Sequence, residues 1–321
     1  MVEHPGAHVN TFWFCLLGAL FGVYLMLDGT VIGAGMLLRA GGSGERARRA
    51  TVTAFGPFFL GNEVWLVVTV ATFLAVLPRL EGALFRTHYP LIAAVLVIWM
   101  IRDAAVWFRS RLERPGWRRG WDRVLTGAST AFAAAFGLLV GNVVTTPPGS
   151  EPVRMPFGWH PLLWALTVTV VFLVHGAAFL VVRLPADLIG GPLRVVRRLA
   201  PAAAASYAVL LGAGLLTGSP SQGTGAVAAE ATAVVALVAS VRIVAARPRI
   251  APALTALAAA VPAVPVGLRL EPAAARSLAA GPALDALAAF LVVVIPLVTA
   301  VQAWTWWAFL RRIDARTPVF F

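Results

Sequence analysis

What most constrains this chain is the recurrence of apolar runs of roughly 20 residues along its whole length. Each is long enough to cross a hydrocarbon layer as a helix, and continuous apolarity, as opposed to strict alternation, argues against a membrane β-barrel. The 321 residues are 60% hydrophobic and only 12% charged, about half the charge that a soluble domain needs to cover its surface. Nine spans are expected, at about 11–38, 51–78, 86–108, 122–145, 161–183, 199–217, 224–246, 251–270 and 282–310. The first, second and last exceed what a bilayer requires, so they should tilt or protrude. No connection is long enough for a separate soluble domain. The reading is an all-α, polytopic integral membrane protein, with 1–321 as one membrane domain.

The formal charge of +12 is carried without lysine, so all 26 basic residues are arginine. In a soluble protein that balance would suggest nucleic acid; among apolar spans it reads as topology, and no nucleic-acid partner is expected. Taken alternately, the tails and connections place 21 arginines on one side and five on the other. The N-terminus is therefore predicted outside and the C-terminus, with Arg311, Arg312 and Arg316, cytoplasmic. The seven arginines from Arg102 to Arg123 read as a topology signal facing anionic head groups. Trp107, Trp117, Trp121, Trp159, Trp304, Trp306 and Trp307 fall near the expected interfaces, as aromatic belts do. The weakest spans are the sixth to eighth, Ala-rich and interrupted by Pro201, Pro252, Pro262 and Pro265. Cys15 is the single cysteine, which excludes an intramolecular disulfide, a cysteine-based zinc site and a C-x-x-C-H haem attachment. The first ten residues lack a basic residue, so a cleaved signal peptide is not expected and the first run should stay as a helix.

Chemistry is then sought among polar residues at membrane depth, where they are costly. Glu63 lies in Gly61-Asn62-Glu63-Val64-Trp65-Leu66, inside the second run. Asp28 lies in the first, beside glycines at 18, 22, 29 and 33 that share one helical face and permit close approach of a neighbour. A short connection makes spans one and two an antiparallel hairpin. Asp28 is 11 residues from Arg39 and Glu63 is 12 from Thr51, so the two acids should sit at similar depth. Two acids in low dielectric tend to share a proton, which suits a proton relay or a quinone head-group partner. The competing reading is a purely structural pair, neutral or capped by arginine and backbone. His175 is mid-span and followed by Gly176; without a second core histidine (His4, His8, His88 and His160 are terminal or interfacial) it reads as a packing residue rather than a haem ligand. Glu230 and Arg102 are the other costly residues, and Asp103 can pair locally with arginine. P-loop, G-x-S-x-G and H-E-x-x-H patterns are absent, leaving phosphoryl transfer and hydrolysis without support.

Asp28-Gly29-Thr30-Val31-Ile32-Gly33-Ala34-Gly35-Met36-Leu37 resembles the D-G-F-D-x-G-x-G-M-L signature of subunit II of the cytochrome bd quinol oxidases. Gly61 to Leu66 is similar to that family's D-G-N-E/Q-V-W-L motif. Arg102, the Phe108-Arg109-Ser110-Arg111 run, Trp121-Asp122, and Phe136-Gly137 to Gly141-Asn142 resemble its third and fourth helices. Fainter likenesses are His175-Gly176-Ala177, and Ile295-Pro296-Leu297 leading into Ala303-Trp304. The resemblance is specific over 11–145 and weak beyond. It implies two four-helix bundles plus one helix, the first bundle at 11–145 and a divergent half at 161–321. It also implies a heterodimer with a haem-bearing subunit I in the bacterial cell membrane, sometimes with a small accessory subunit. In that complex quinol is oxidised and oxygen reduced to water; two b-type haems and one d-type haem belong to subunit I, and none is expected here. The resemblance makes Asp28 and Glu63 candidates for a proton path, and Gly29, Gly33, Gly35, Gly61, Asn62, Trp65, Arg102, Asp122 and His175 motif or packing residues. The chain departs from the family at Val31, Phe58 and Leu60, where an aspartate, a histidine and an aspartate are usual. A different class also fits the bare acid pair: a stand-alone proton-coupled transporter using Asp28 and Glu63, with Pro-broken late helices.

Overall fold

The computed structural model describes residues 5–40, 42, 44–217 and 223–313, with side chains from residue 11 onward. His4 and Arg316, and the side chain of His8, lie outside what is described. Ten α-helices follow in order: α1 (Pro5–Met36), α2 (Glu45–Val76), α3 (Pro78–Arg109), α4 (Pro115–Thr145), α5 (Trp159–Arg183), α6 (Gly190–Thr217), α7 (Thr224–Ile243), α8 (Ala251–Ala260), α9 (Ala263–Ala274) and α10 (Gly281–Phe309). A single 3₁₀ turn, Ala186–Leu188, precedes α6. Among the described residues there is no strand, and nine helices are long and apolar enough to cross a membrane, α8 and α9 counting together as the eighth.

The helices extend beyond the expected apolar runs. Only Leu77 separates α2 from α3, so Arg79 and Arg86, read as loop residues, are helical. The 32 residues of α3 make a helix of about 48 Å, well beyond a hydrocarbon core, and its polar first turns need no bilayer. Likewise α6 starts at Gly190, ahead of Arg194, Arg197 and Arg198. Prolines open α3, α4, α8 and α10, where the missing N–H would have no intrahelical acceptor. Of the four prolines expected to interrupt the late spans, only Pro262 stands at a break. Pro201 is carried inside α6, Pro252 sits in the first turn of α8, and Pro265 in that of α9. In α3 the non-helical His88 (φ −117°, ψ 17°) precedes Pro90, and the lost hydrogen bond accounts for the kink.

Helices α1 to α4 close into one ring and α5 to α8 into a second. The rings meet where α5 packs on α1 and α4; α9 lies against α1, α4 and α7, and α10 packs on α2. The seam is made by glycine. A Cβ on Gly33 would lie 1.9 Å from the Phe172 carbonyl oxygen, and one on Gly176 would lie 2.3 Å from the Gly33 carbonyl carbon. Gly35 is closed over by Ser129 of α4, and Gly29 by Phe172 and His175 of α5. The glycine face of the first span therefore serves α5 at Gly29 and Gly33, with Gly35 off that face against α4, and does not form the hairpin contact with α2. Its outer part packs loosely: Gly18 faces open space and Gly22 meets only Ala260. Spacing shows that a face is smooth; it does not say which helix lies on it.

Candidate functional site

One turn of α1 is bound by three other helices through consecutive residues. The Met26 carbonyl accepts from His175 Nε2 of α5 at 2.8 Å, and the Leu27 carbonyl accepts from Asn62 Nδ2 of α2 at 2.8 Å. Asp28 Oδ1 accepts from an Arg102 guanidinium nitrogen of α3 at 3.3 Å. The Thr30 hydroxyl also donates to the Leu27 carbonyl, at 2.6 Å. The polar groups of the two signature stretches thus converge on residues 26–30.

Arg102 is the centre of the site. It is 1% exposed, and besides Asp28 it reaches Glu63 Oε1 at 3.3 Å and Asp103 Oδ1 at 3.4 Å. Phe59 lies under its guanidinium, 5.4 Å from ring centre to Cζ. Trp99, one turn before Arg102, donates its indole N–H to Glu63 Oε1 at 3.1 Å. The buried Tyr24 phenol lies within electrostatic range of Asp28. The second Asp28 oxygen makes no hydrogen bond of normal geometry. Asp28 and Glu63 do lie at matching depth, but a shared arginine joins them. Glu63 is the edge of the cluster, flanked on α2 by the exposed Leu60, Val64 and Val67.

Asn62 extends the site sideways. Its carboxamide meets that of Gln302 on α10 at 2.9 Å, and Gly61 leaves the room, since a Cβ there would be 3.2 Å from Gln302. Trp65 is buried, its indole nitrogen making no hydrogen bond. His175 has both ring nitrogens engaged, with Nδ1 2.7 Å from the Thr255 hydroxyl of α8. Because Nε2 faces a carbonyl it carries the proton in the neutral ring, and Nδ1 accepts. The ring's one free lone pair, on Nδ1, is thus taken up by Thr255 and not offered to a haem iron. Among the described residues no group of three or more His, Cys, Asp or Glu side chains is placed to hold a metal ion. Glu230 is fully buried in α7, within electrostatic range of Tyr207, whose hydroxyl donates to the Ala258 carbonyl at 2.7 Å.

Asp122 belongs to a different cluster, seven residues further along α3. Arg109 donates to Asp122 at 2.6 Å and to Glu45 at 3.1 Å; Arg48 pairs with Asp122 at 2.9 Å and with Glu45 at 3.0 Å. Two arginines and two acids alternate around this square, and Arg118 approaches Glu45 from outside at 3.8 Å. A third buried arginine, Arg183, donates to the carbonyls of Ala54, Phe309 and Arg311 and lies over the Phe58 ring. The chain's departures from the signature are placed accordingly: Val31 is buried, Phe58 packs beneath Arg183, and Leu60 points outward, 51% exposed.

Sequence reasoning did not find Trp99, Tyr24, Gln302, or the Glu45–Arg48 half of the second cluster. Trp99, Arg102 and Asp103 share one turn of α3, a spacing that could have signalled a partner for Glu63. Gln302, a lone amide in an apolar run, was the available hint in span nine.

Comparison with known proteins agrees with this geometry. The chain is 28% identical over 188 residues to the Bacillus subtilis (strain 168) protein named cytochrome bd ubiquinol oxidase subunit 2, covering 57% of this chain and 56% of that one. It is 28% identical over 189 residues to the Escherichia coli (strain K12) cytochrome bd-I ubiquinol oxidase subunit 2, covering 55% and 49%. A Haemophilus influenzae protein named probable cytochrome oxidase subunit 2 is 28% identical over 136 residues, covering 42% and 36%. The chain spans about half the length of the curated relatives it matches. The family described as cytochrome bd terminal oxidase subunit II matches residues 9–309, nearly the whole chain. With nine membrane-length helices among its described residues, and Asp28 and Glu63 of the signature stretches gathered on one arginine, the chain belongs to the cytochrome bd terminal oxidase subunit II family.

Proposed function

We propose that this chain acts as subunit II of a bd-type quinol:oxygen oxidoreductase in the bacterial cell membrane, with the N-terminus outside and the C-terminus cytoplasmic. Its partner is a haem-bearing subunit I, with which it forms a heterodimer that a small accessory subunit can join. In this reading the chain is a non-haem subunit that is not catalytic alone, organised as a motif-bearing bundle over 11–145 and a divergent half over 161–321. The haems of subunit I, two b-type and one d-type, supply the electron transfer from quinol and the reduction of oxygen to water. What this chain contributes is assembly and a place to hold protons.

The observation that carries the proposal is the charge balance at Arg102. Three carboxylates, Asp28, Glu63 and Asp103, face one guanidinium, so the cluster is two protons short of neutrality if every acid ionises. Uncompensated charge at membrane depth is costly, and protons are the simplest compensation. With Phe58 and Leu60 apolar, a route through this subunit would use Glu63 and Asp103 at the edge and Asp28 inside. The comparisons lend no support to a stand-alone transporter.

The test is expression of the chain with a neighbouring haem-bearing subunit I candidate. Reduced-minus-oxidised spectra and oxygen consumption are then recorded with and without this chain. Loss of haem content or of turnover in its absence is expected. Full haem content and turnover without it would overturn the proposal.

A further inference from the structure

At the corner between α3 and α4 a surface groove of about 660 Å³ opens, lined by Arg114, Gly116, Trp117, Gly120, Trp121 and Val124 among others. Its floor is free of side chains: a Cβ on Gly116 or Gly120 would meet nothing within 4 Å, and the two glycines lie one turn apart on the same face. Its wall is held in place by the protein itself. The Trp117 indole donates to the Phe108 carbonyl at 2.7 Å. Trp121 stacks on Phe108 at 5.4 Å and meets Trp117 edge-on at 5.7 Å.

The charge around this groove is unbalanced. Arg102, Arg109 and Arg48 are bound to acids, whereas among the described residues the exposed Arg111, Arg114, Arg119 and Arg123 make no ion pair; against these four stands one exposed acid, Glu113, so positive charge is in excess. Tryptophans of this kind sit at head-group depth, and basic pockets at helix corners on the cytoplasmic side suit anionic head groups.

We propose that this groove is a binding site for an anionic phospholipid. The phosphodiester lies against Arg114, with the neighbouring arginines supplying the field. The glycerol and first methylenes run over Gly116 and Gly120 against Trp117 and Trp121. An apolar floor and aromatic wall favour a lipid over free phosphate, which would gain nothing from them. The proposal rests on the topology and pairing given under the proposed function, and not on oxidase chemistry.

The experiment uses the chain purified with its partner subunit in neutral detergent, with bound lipid read by native mass spectrometry after addition of phosphatidylglycerol or phosphatidylcholine. Phosphatidylglycerol should be retained in preference. Arg114→Gln should lower retention roughly fivefold, the effect of one arginine near an anionic surface. Gly120→Leu, which keeps every charge but fills the floor, should lower it at least as much. Arg249→Gln, an exposed arginine on the same predicted side, should leave it unchanged, and excess inorganic phosphate should not release the lipid. Equal retention of both lipids overturns the proposal, as does normal binding by Gly120→Leu, an equal loss in Arg249→Gln or release by phosphate. So does a photo-cross-linker at position 120 that captures the partner polypeptide in place of lipid.

Discussion

Two arginine clusters lie seven residues apart on α3, and they are built on opposite plans. At Arg109 two arginines and two acids alternate, the closest pair at 2.6 Å, and Arg118 approaches Glu45 from outside at 3.8 Å, so no acid lacks a counter-charge. At Arg102 one arginine faces three acids, at 3.3 to 3.4 Å. The first lies near the end of its helix, where Glu45 is 40% exposed; the second is walled in by Tyr24, Phe59 and Trp99. A cluster with no surplus of acid locks three helices together and has no use for protons. An unbalanced, buried cluster calls for protons to neutralise it, which is the ground for the proposed proton path. The difference teaches that charge count, more than burial alone, sets whether a buried ion cluster calls for protons.

The comparison breaks most easily at Arg102. Replacing it by methionine strands three acids at membrane depth, and a buried pair broken on one side costs about 3–5 kcal/mol. We expect little assembled complex, read by the yield of the heterodimer and its thermal midpoint. Arg109→Met should cost less, about 1.5–3 kcal/mol for lost charged hydrogen bonds, because Arg48 still neutralises Asp122. If Arg109→Met proves the more damaging, the contrast between the clusters is wrong.

Glu63→Gln sharpens the comparison differently. It keeps the volume and the Trp99 contact while removing one acid, so stability should change by less than about 1 kcal/mol. The oxidase turnover of the complex should nevertheless fall and its pH profile change. Identical pH profiles with full haem content would remove Glu63 from the proton path.

The smallest effect is expected at the exposed Arg46–Asp187 pair, at 2.5 Å. The hydrogen bond from Arg46 holds the Asp187 carboxyl below the ordinary carboxylate range. A depressed folded value stabilises above the unfolded one and is lost as pH falls through the folded one. Arg46→Gln should therefore lower the thermal midpoint only slightly at neutral pH. That deficit should vanish in acid, as thermal scans across pH would show.

The number and type of helices were legible because apolar length is a property of local sequence. Helix ends were not, since Arg79, Arg86 and Arg194 can continue a helix beyond the bilayer as easily as end one. The meeting of Asp28 and Glu63 was legible from a short hairpin and matched depth. Their common partner was hidden for a physical reason: an arginine near the end of an apolar run looks like a topology signal. Arg102 stood out as a costly residue but was also counted with Arg109 and Arg183 among the topology arginines, and all three are spent inside the fold. Gln302 is 240 residues from Asn62, a pairing that no local pattern encodes. The Gly33–Gly176 seam was half visible, as a smooth face without its partner.

The central claim, that the Arg102 cluster exchanges protons, is tested most directly by infrared difference spectroscopy of the intact complex across a pH titration. A protonated-carboxyl band that responds to pH and is lost in Glu63→Gln is the predicted result. A spectrum in which no carboxyl of Asp28, Glu63 or Asp103 changes with pH would contradict it.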